Sequence, residues 1–205
     1  MTDYTKVYNG ISKVFWAHFF LFFNFSINIG GVSISIIPSF ISYIFFFGAI
    51  QLLKDEEREL SLLKPLCTIL GIWVAIQWLA SCVGYSFSGK WQFLTLIHGL
   101  LGLYFNFQFI TNLASIATKY QKEGCDYDKK LLKYRTIEVI VQSVFLIYTN
   151  LTFLSTEVLL GISSVVGIVS FIINLYAVII LNALKKNLKT IDENADDSSI
   201  EISEI

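Results

Sequence analysis

The stretch VFWAHFFLFFNFSINIGGVSISIIPSFISYIFFFGAIQLL, Val14–Leu53, runs for forty residues without an Asp, Glu, Lys or Arg. A helix needs about 20 apolar residues to cross about 30 Å of hydrocarbon, so this run is too long for one crossing. It also carries a break. Asn28-Ile29-Gly30-Gly31 leads into Val32-Ser33-Ile34-Ser35-Ile36, which alternates apolar and polar residues as extended chain does. Pro38 follows at a place where a helix can begin without a backbone N–H. The stretch predicts two helices, 13–28 and 38–53, joined by a short irregular segment. Each is only about 24 Å long, so the pair either crosses twice or dips in as a re-entrant hairpin.

Outward from this stretch, four more charge-free runs each fit one crossing, and they predict helices at 66–85, 92–117, 136–154 and 158–183. Lys and Arg then test the threading. Residues 1–13 hold two, 54–65 three, 119–135 six and 185–205 three, whereas 86–91 hold only Lys90 and the other two short loops none. Six crossings with both termini cytoplasmic put 14 basic residues inside and one outside, which is the positive-inside pattern. Lys6, Lys13 and the apolar run after them resemble a signal peptide, but no small-residue cleavage site follows. Residues 1–189 therefore form one transmembrane helical domain. Residues 190–205 carry six acidic and no basic residues, and are expected as a disordered cytoplasmic tail.

Composition agrees. Of 205 residues 55% are apolar and only 15% charged, with a mean hydropathy of +0.63, against about 25% charged in an ordinary soluble domain. The excess apolar surface has to face lipid. An ordinary soluble enzyme, a disordered chain and a disulfide-framed secreted module are excluded. A net charge of −1 excludes a basic nucleic-acid binder. The bilayer is the first partner. Three scattered cysteines, Cys67, Cys82 and Cys125, predict no disulfide.

Polar residues inside the predicted helices are the candidates for function. Asn24 and Asn28 share a face leading into Gly30-Gly31 and Pro38, and together suggest a polar nook at the broken hairpin. His98, Gly102 and Asn106 stand at steps of four, and Glu138 and Gln142 share a stripe of the fifth helix. Ser163, Gly167, Ser170 and Asn174 form a small-and-polar seam on the sixth. These stripes should face the bundle interior and Phe19, Phe20, Phe22 and Phe23 the lipid, with helix-to-helix packing the favoured role for the polar seam. Glu138 falls in the first turn of helix 136–154, where Arg135 can pair with it, so the expectation is of no charged group at mid-bilayer depth. His18 would lie near the cytoplasmic face and His98 near the external one, too far apart to share a metal. No catalytic residue, metal ligand or cofactor site is expected, and HExxH, GxSxG, CxxC and phosphate-loop motifs are missing. The Lys-rich, Tyr-interleaved stretch 119–135 suits anionic lipid headgroups, or serves as the topology signal alone.

The run Ile27-Asn28-Ile29-Gly30-Gly31, followed by Ile36-Ile37-Pro38-Ser39-Phe40-Ile41-Ser42-Tyr43-Ile44, with Gly48 and Leu52-Leu53 after it, resembles a motif of small multi-pass membrane proteins from low-GC Gram-positive bacteria, with Ser42 where that pattern has Gly. The resemblance implies a bacterial plasma-membrane location and supplies no chemistry. Two functions remain open at this stage. One is a non-enzymatic partner subunit or regulator, acting on another membrane protein or as a homo-oligomer. The other is a channel or facilitator for a small uncharged solute, centred on the broken hairpin.

Overall fold

The computed structural model describes residues 3–22, 26–29, 32–35, 37–85, 91–149 and 156–203. Among them are six α-helices: α1 (Asp3–Phe22), α2 (Phe40–Leu53), α3 (Leu63–Cys82), α4 (Gln92–Tyr120), α5 (Tyr127–Thr149) and α6 (Thr156–Ser203). A 3-10 turn, Arg58–Leu62, precedes α3, and two short strands, β1 (Ser26–Ile29) and β2 (Val32–Ser35), separate α1 from α2. Three helical stretches are long and apolar enough to cross a membrane: Arg58–Cys82, Phe93–Tyr120 and Gly161–Thr190. This is a helical membrane protein.

Each helix packs against its neighbours in sequence, and α6 returns to pack against α1, so the six close a ring in chain order. The core lies inside it. Val7, Ile11, Val14 and Ala17 of α1 are fully buried, at the three-to-four-residue spacing that puts them on one stripe. They meet Phe46, Ala49, Ile50 and Leu53 of α2, Phe105, Phe109 and Leu113 of α4, and Ala177, Leu181 and Leu184 of α6 in one cluster. Phe46 sits edge-on to Phe109 at 5.0 Å and to Phe105 at 5.5 Å. At Gly10 an added Cβ would come within 2.5 Å of Leu53, so α1 and α2 touch there because the residue has no side chain.

One end of the ring carries most of the polar contacts. Lys6 pairs with Asp55, tying the start of α1 to the end of α2. The loop after α2 clamps onto α4: Tyr120 donates to Glu56 at 2.5 Å, Ser115 to Glu57 at 2.7 Å and Gln108 to Glu59 at 2.8 Å. The backbone N–H of Lys122 donates to Asn187 of α6 at 3.0 Å. Lys185 lies over the rings of Tyr8 and Phe15, joining α6 to α1.

Several element boundaries differ from expectation. The first helix occupies residues 3–22 rather than 13–28, because its buried stripe begins well before the charge-free run; Lys6 and Lys13 stand beside that stripe without breaking it. Residues 26–29 then pair antiparallel with 32–35, in the register Ser26↔Ser35, Ile27↔Ile34, Asn28↔Ser33 and Ile29↔Val32. The supposed irregular joint is a β-hairpin, anchored where the Trp78 indole donates to the Ser35 carbonyl at 3.1 Å. The fifth helix begins at Tyr127 instead of 136, since Gln121 accepts the N–H groups of Tyr127 and Asp128 and donates to the Asp128 carboxylate at 2.9 Å. The sixth continues through Ser203, so residues 190–203 are helical rather than a disordered tail. No Gly or Pro follows Gly167, leaving nothing in the sequence to stop it.

Candidate functional site

A cavity of about 390 Å³ opens inside the ring. His18 enters it from α1, Tyr43 and Phe46 from α2, and His98, Gly102 and Asn106 from α4. Tyr134, Glu138 and Gln142 come from α5, and Asn174 from α6. Helical spacing explains the convergence. His98, Gly102 and Asn106 are one turn apart on α4, as are Tyr134, Glu138 and Gln142 on α5, so each trio forms a stripe turned inward.

The distance of this cavity from the charged end is its main physical feature. Asn106 precedes Tyr120 by fourteen residues, about 21 Å along α4 at 1.5 Å per residue, and Glu138 follows Tyr127 by eleven, about 17 Å along α5. His18 is twelve residues past Lys6, about 18 Å. All three lie a similar distance from the charged end.

The expected place of Glu138 is therefore corrected. It sits at the centre of the observed α5 and is only 6% exposed. Arg135 does not pair with it. The guanidinium turns to α4 instead, donating to Thr111 at 2.9 Å and lying 4.5 Å from the Phe107 ring centroid. Glu138 accepts a hydrogen bond from Gln142 at 3.3 Å and forms no ion pair among the described residues.

The histidines are corrected too. Because α1 starts ten residues earlier than expected, His18 moves inward and shares the cavity with His98. Its Nδ1–H donates to the Val14 carbonyl at 3.0 Å, which leaves Nε2 as the other nitrogen of the ring. Phe46 and Tyr134 flank that ring, with centroids 5.2 and 6.2 Å away. His98 Nε2 is buried without a hydrogen-bond partner among the described residues. No cluster of three or more metal-ligating side chains occurs among the described residues.

The two glycines of the α4 stripe differ. A Cβ at Gly99 would come within 2.5 Å of Leu146, so Gly99 serves the contact of α4 with α5. At Gly102 an added Cβ would meet nothing within 4 Å, so Gly102 leaves the cavity open. The seam on α6 is interior only at its inner part. Asn174 lines the cavity and donates to the Ser170 carbonyl at 2.8 Å. Gly167 is exposed, and Ser163 and Ser170 are half-exposed, because the outer part of α6 packs little: Val165, Ile168, Phe171 and Ile172 are all more than half exposed. On α1, Phe19 and Phe20 are half-buried rather than facing lipid, Phe20 stacking on Phe45 at 5.3 Å. Trp16 and Leu21 are the exposed apolar residues there.

The nook expected at the broken hairpin lies largely outside the described residues: Asn24, Gly30 and Gly31 are outside them, and of Asn28 only the strand backbone is described. Pro38 accepts the Ile41 N–H at 3.0 Å and starts the turn into α2. In the basic stretch 119–135, most cations already have protein partners. Lys119 donates to the Glu56 carbonyl, Lys129 pairs with Asp126, Lys130 lies over Tyr127, and Arg135 is held by α4. Lys122 and Lys133 have exposed side chains. The three cysteines are free, Cys67 being buried with its thiol on the Tyr43 carbonyl at 3.5 Å.

Comparison with family models, with curated proteins and with solved structures finds no match.

Proposed function

We propose that this chain is a multi-pass protein of the bacterial plasma membrane, with both termini cytoplasmic. It acts as a non-enzymatic facilitator that binds a small solute inside its helical ring. The observation that carries this reading is the cavity of about 390 Å³ within the ring, with hydrogen-bonding side chains from α1, α4, α5 and α6 set among aromatic walls. Pockets for small organic molecules begin near 300 Å³ and combine an apolar lining with a few convergent polar groups. Polar and ionisable side chains inside a membrane bundle mark binding sites and pathways, since leaving them unused there is costly. The partner-subunit alternative draws on the charged loops and tail, and among the described residues the loop after α2 bonds to α4 and the loop after α4 to α6. The site of action moves accordingly, from the broken hairpin to the ring interior.

Filling the cavity tests the proposal. Gly102→Phe adds a ring where a Cβ meets no neighbour, so the bundle should fold and the cavity close. Osmotic swelling of reconstituted vesicles, measured with glycerol, urea and choline chloride outside, should show faster entry of at least one solute than in protein-free vesicles. The variant should lose most of that increment. No increment for any solute, or full flux through Gly102→Phe, rejects the facilitator reading.

A further inference from the structure

We infer that the cavity is a site for an organic ammonium ion, a small positively charged amine held by the Glu138 carboxylate and aromatic walls. The inference rests on the cavity being a solute site and names the class of solute it takes.

Among the described residues, Glu138 is the only Asp, Glu, Lys or Arg that lines the cavity. Its nearest basic neighbour along α5, Arg135, is committed to Thr111 and Phe107 on α4. Neither histidine forms an ion pair with it among the described residues. Gln142 occupies one carboxylate oxygen; the other has no partner among the described residues. A buried carboxylate is stable as an anion only when a cation or several donors accompany it. One amide at 3.3 Å is a small fraction of that.

Shape and wall chemistry select the kind of cation. A bare Ca²⁺ or Mg²⁺ ion requires six or more oxygen ligands converging at about 2.0–2.6 Å, and no cluster of three or more metal-ligating side chains occurs among the described residues. Phe46, Phe105, Tyr134 and Phe145 line the same volume as Glu138. Aromatic rings attract alkylammonium groups through their negative faces while matching the groups' apolar surface, and the attraction grows when water is excluded. A carboxylate together with an aromatic enclosure of this size fits a methylated or protonated amine better than a sugar, an anion or a metal.

Two probes decide the matter, choline and benzyltrimethylammonium, each compared with its uncharged carbon isostere, in which the ammonium nitrogen is replaced by carbon. Binding is measured calorimetrically on the full chain in lipid nanodiscs at fixed neutral pH. At least one ammonium probe should bind roughly tenfold or more tightly than its isostere. Glu138→Gln should abolish that preference while leaving the isostere's affinity unchanged, and Glu138→Asp should restore part of it. Equal binding within both pairs, or a preference that survives Glu138→Gln, overturns the ammonium inference and leaves the cavity as a site for neutral solutes. Binding of none of the four probes overturns this inference and counts against the solute-site reading as well. Should Glu138→Gln fail to fold, the wild-type ratio within each pair still separates a site for ammonium ions from one for neutral solutes.

Discussion

Asp128 and Asp55 each work at the charged end of the ring, and their titration sets how the molecule should respond to acid. The Gln121 amide, with smaller help from the Lys129 N–H, the Lys129 charge and the Thr118 hydroxyl, holds the Asp128 carboxyl below its ordinary range. The Lys6 ammonium does the same for Asp55, chiefly by hydrogen bonding. A carboxyl depressed in the folded state binds its proton more weakly there than in the unfolded chain, whose aspartates titrate near about 3.9. Its stabilising contribution is complete above that value and disappears as pH falls through the folded one. The melting temperature in detergent should therefore vary little from these two groups between about pH 5 and 7 and drop below about pH 4. Asp55→Asn and Asp128→Asn together should flatten the acid limb; an unchanged limb would remove these aspartates from the account. Asp55 is exposed and Asp128 half-exposed, so the effect should be small and should shrink further in high salt.

Helix boundaries decide which residues meet, and Gly10 is the place to test the first of them. An added side chain there would run into Leu53, so α1 must pack against α2 through its N-terminal half, the half that a helix beginning at residue 13 leaves out. Gly10→Leu should lower stability by about 1–3 kcal/mol, the usual cost of overpacking a close contact. Gly124→Ala probes a different constraint, since φ there is +82° and the loss comes from the backbone rather than from a neighbour. Thermal unfolding of Gly10→Leu at the wild-type temperature would mean that α1 and α2 do not meet at this point. The charge-free runs made the apolar centres of α2, α3, α4 and α6 legible, because lipid exposure requires long uncharged stretches. The same criterion misjudged α1 and α5, which carry Lys6 and Lys13, or Asp128 to Arg135, on helical turns outside the apolar run. Those ten or so residues set how far along its helix each group lies, and that decides whether His18 and Glu138 read as surface groups or as a site. The hairpin had its own signal, two alternating segments flanking Gly30-Gly31, a two-residue connection of the kind that favours a tight turn. Periodicity brought His98, Gly102, Asn106, Glu138, Gln142 and Asn174 onto inward stripes. That those stripes enclose a space rather than fill it depends on the closing contact of α6 with α1, which no local pattern records.

Closure of the ring ties the threading of the whole molecule to its chemistry. Lys6 near one terminus bonds to Asp55 after α2, Tyr120 at the end of α4 bonds to Glu56 beside it, and Asn187 of α6 takes the N–H of Lys122. Residues 6, 55, 56, 120, 122 and 187 therefore gather at one end of the bundle. Between each of these positions and the next group along the chain two helices run out from that end and back, and on the multi-pass reading proposed above that is an even number of crossings. The same end collects most of the Lys and Arg residues, the bias that retains a segment in the cytoplasm. Reporters fused to the two termini should thus both register as cytoplasmic, whereas one inserted between Gly84 and Trp91 should register outside. Termini on opposite faces would break the contacts of α6 with α1 and with the loop after α4, and with them the wall of the cavity that Asn174 supplies. The topology assay consequently bears on the solute site as much as on the membrane path. A ring that fails to close has no interior, and Glu138 would then face lipid, where an uncompensated carboxylate is least tolerated.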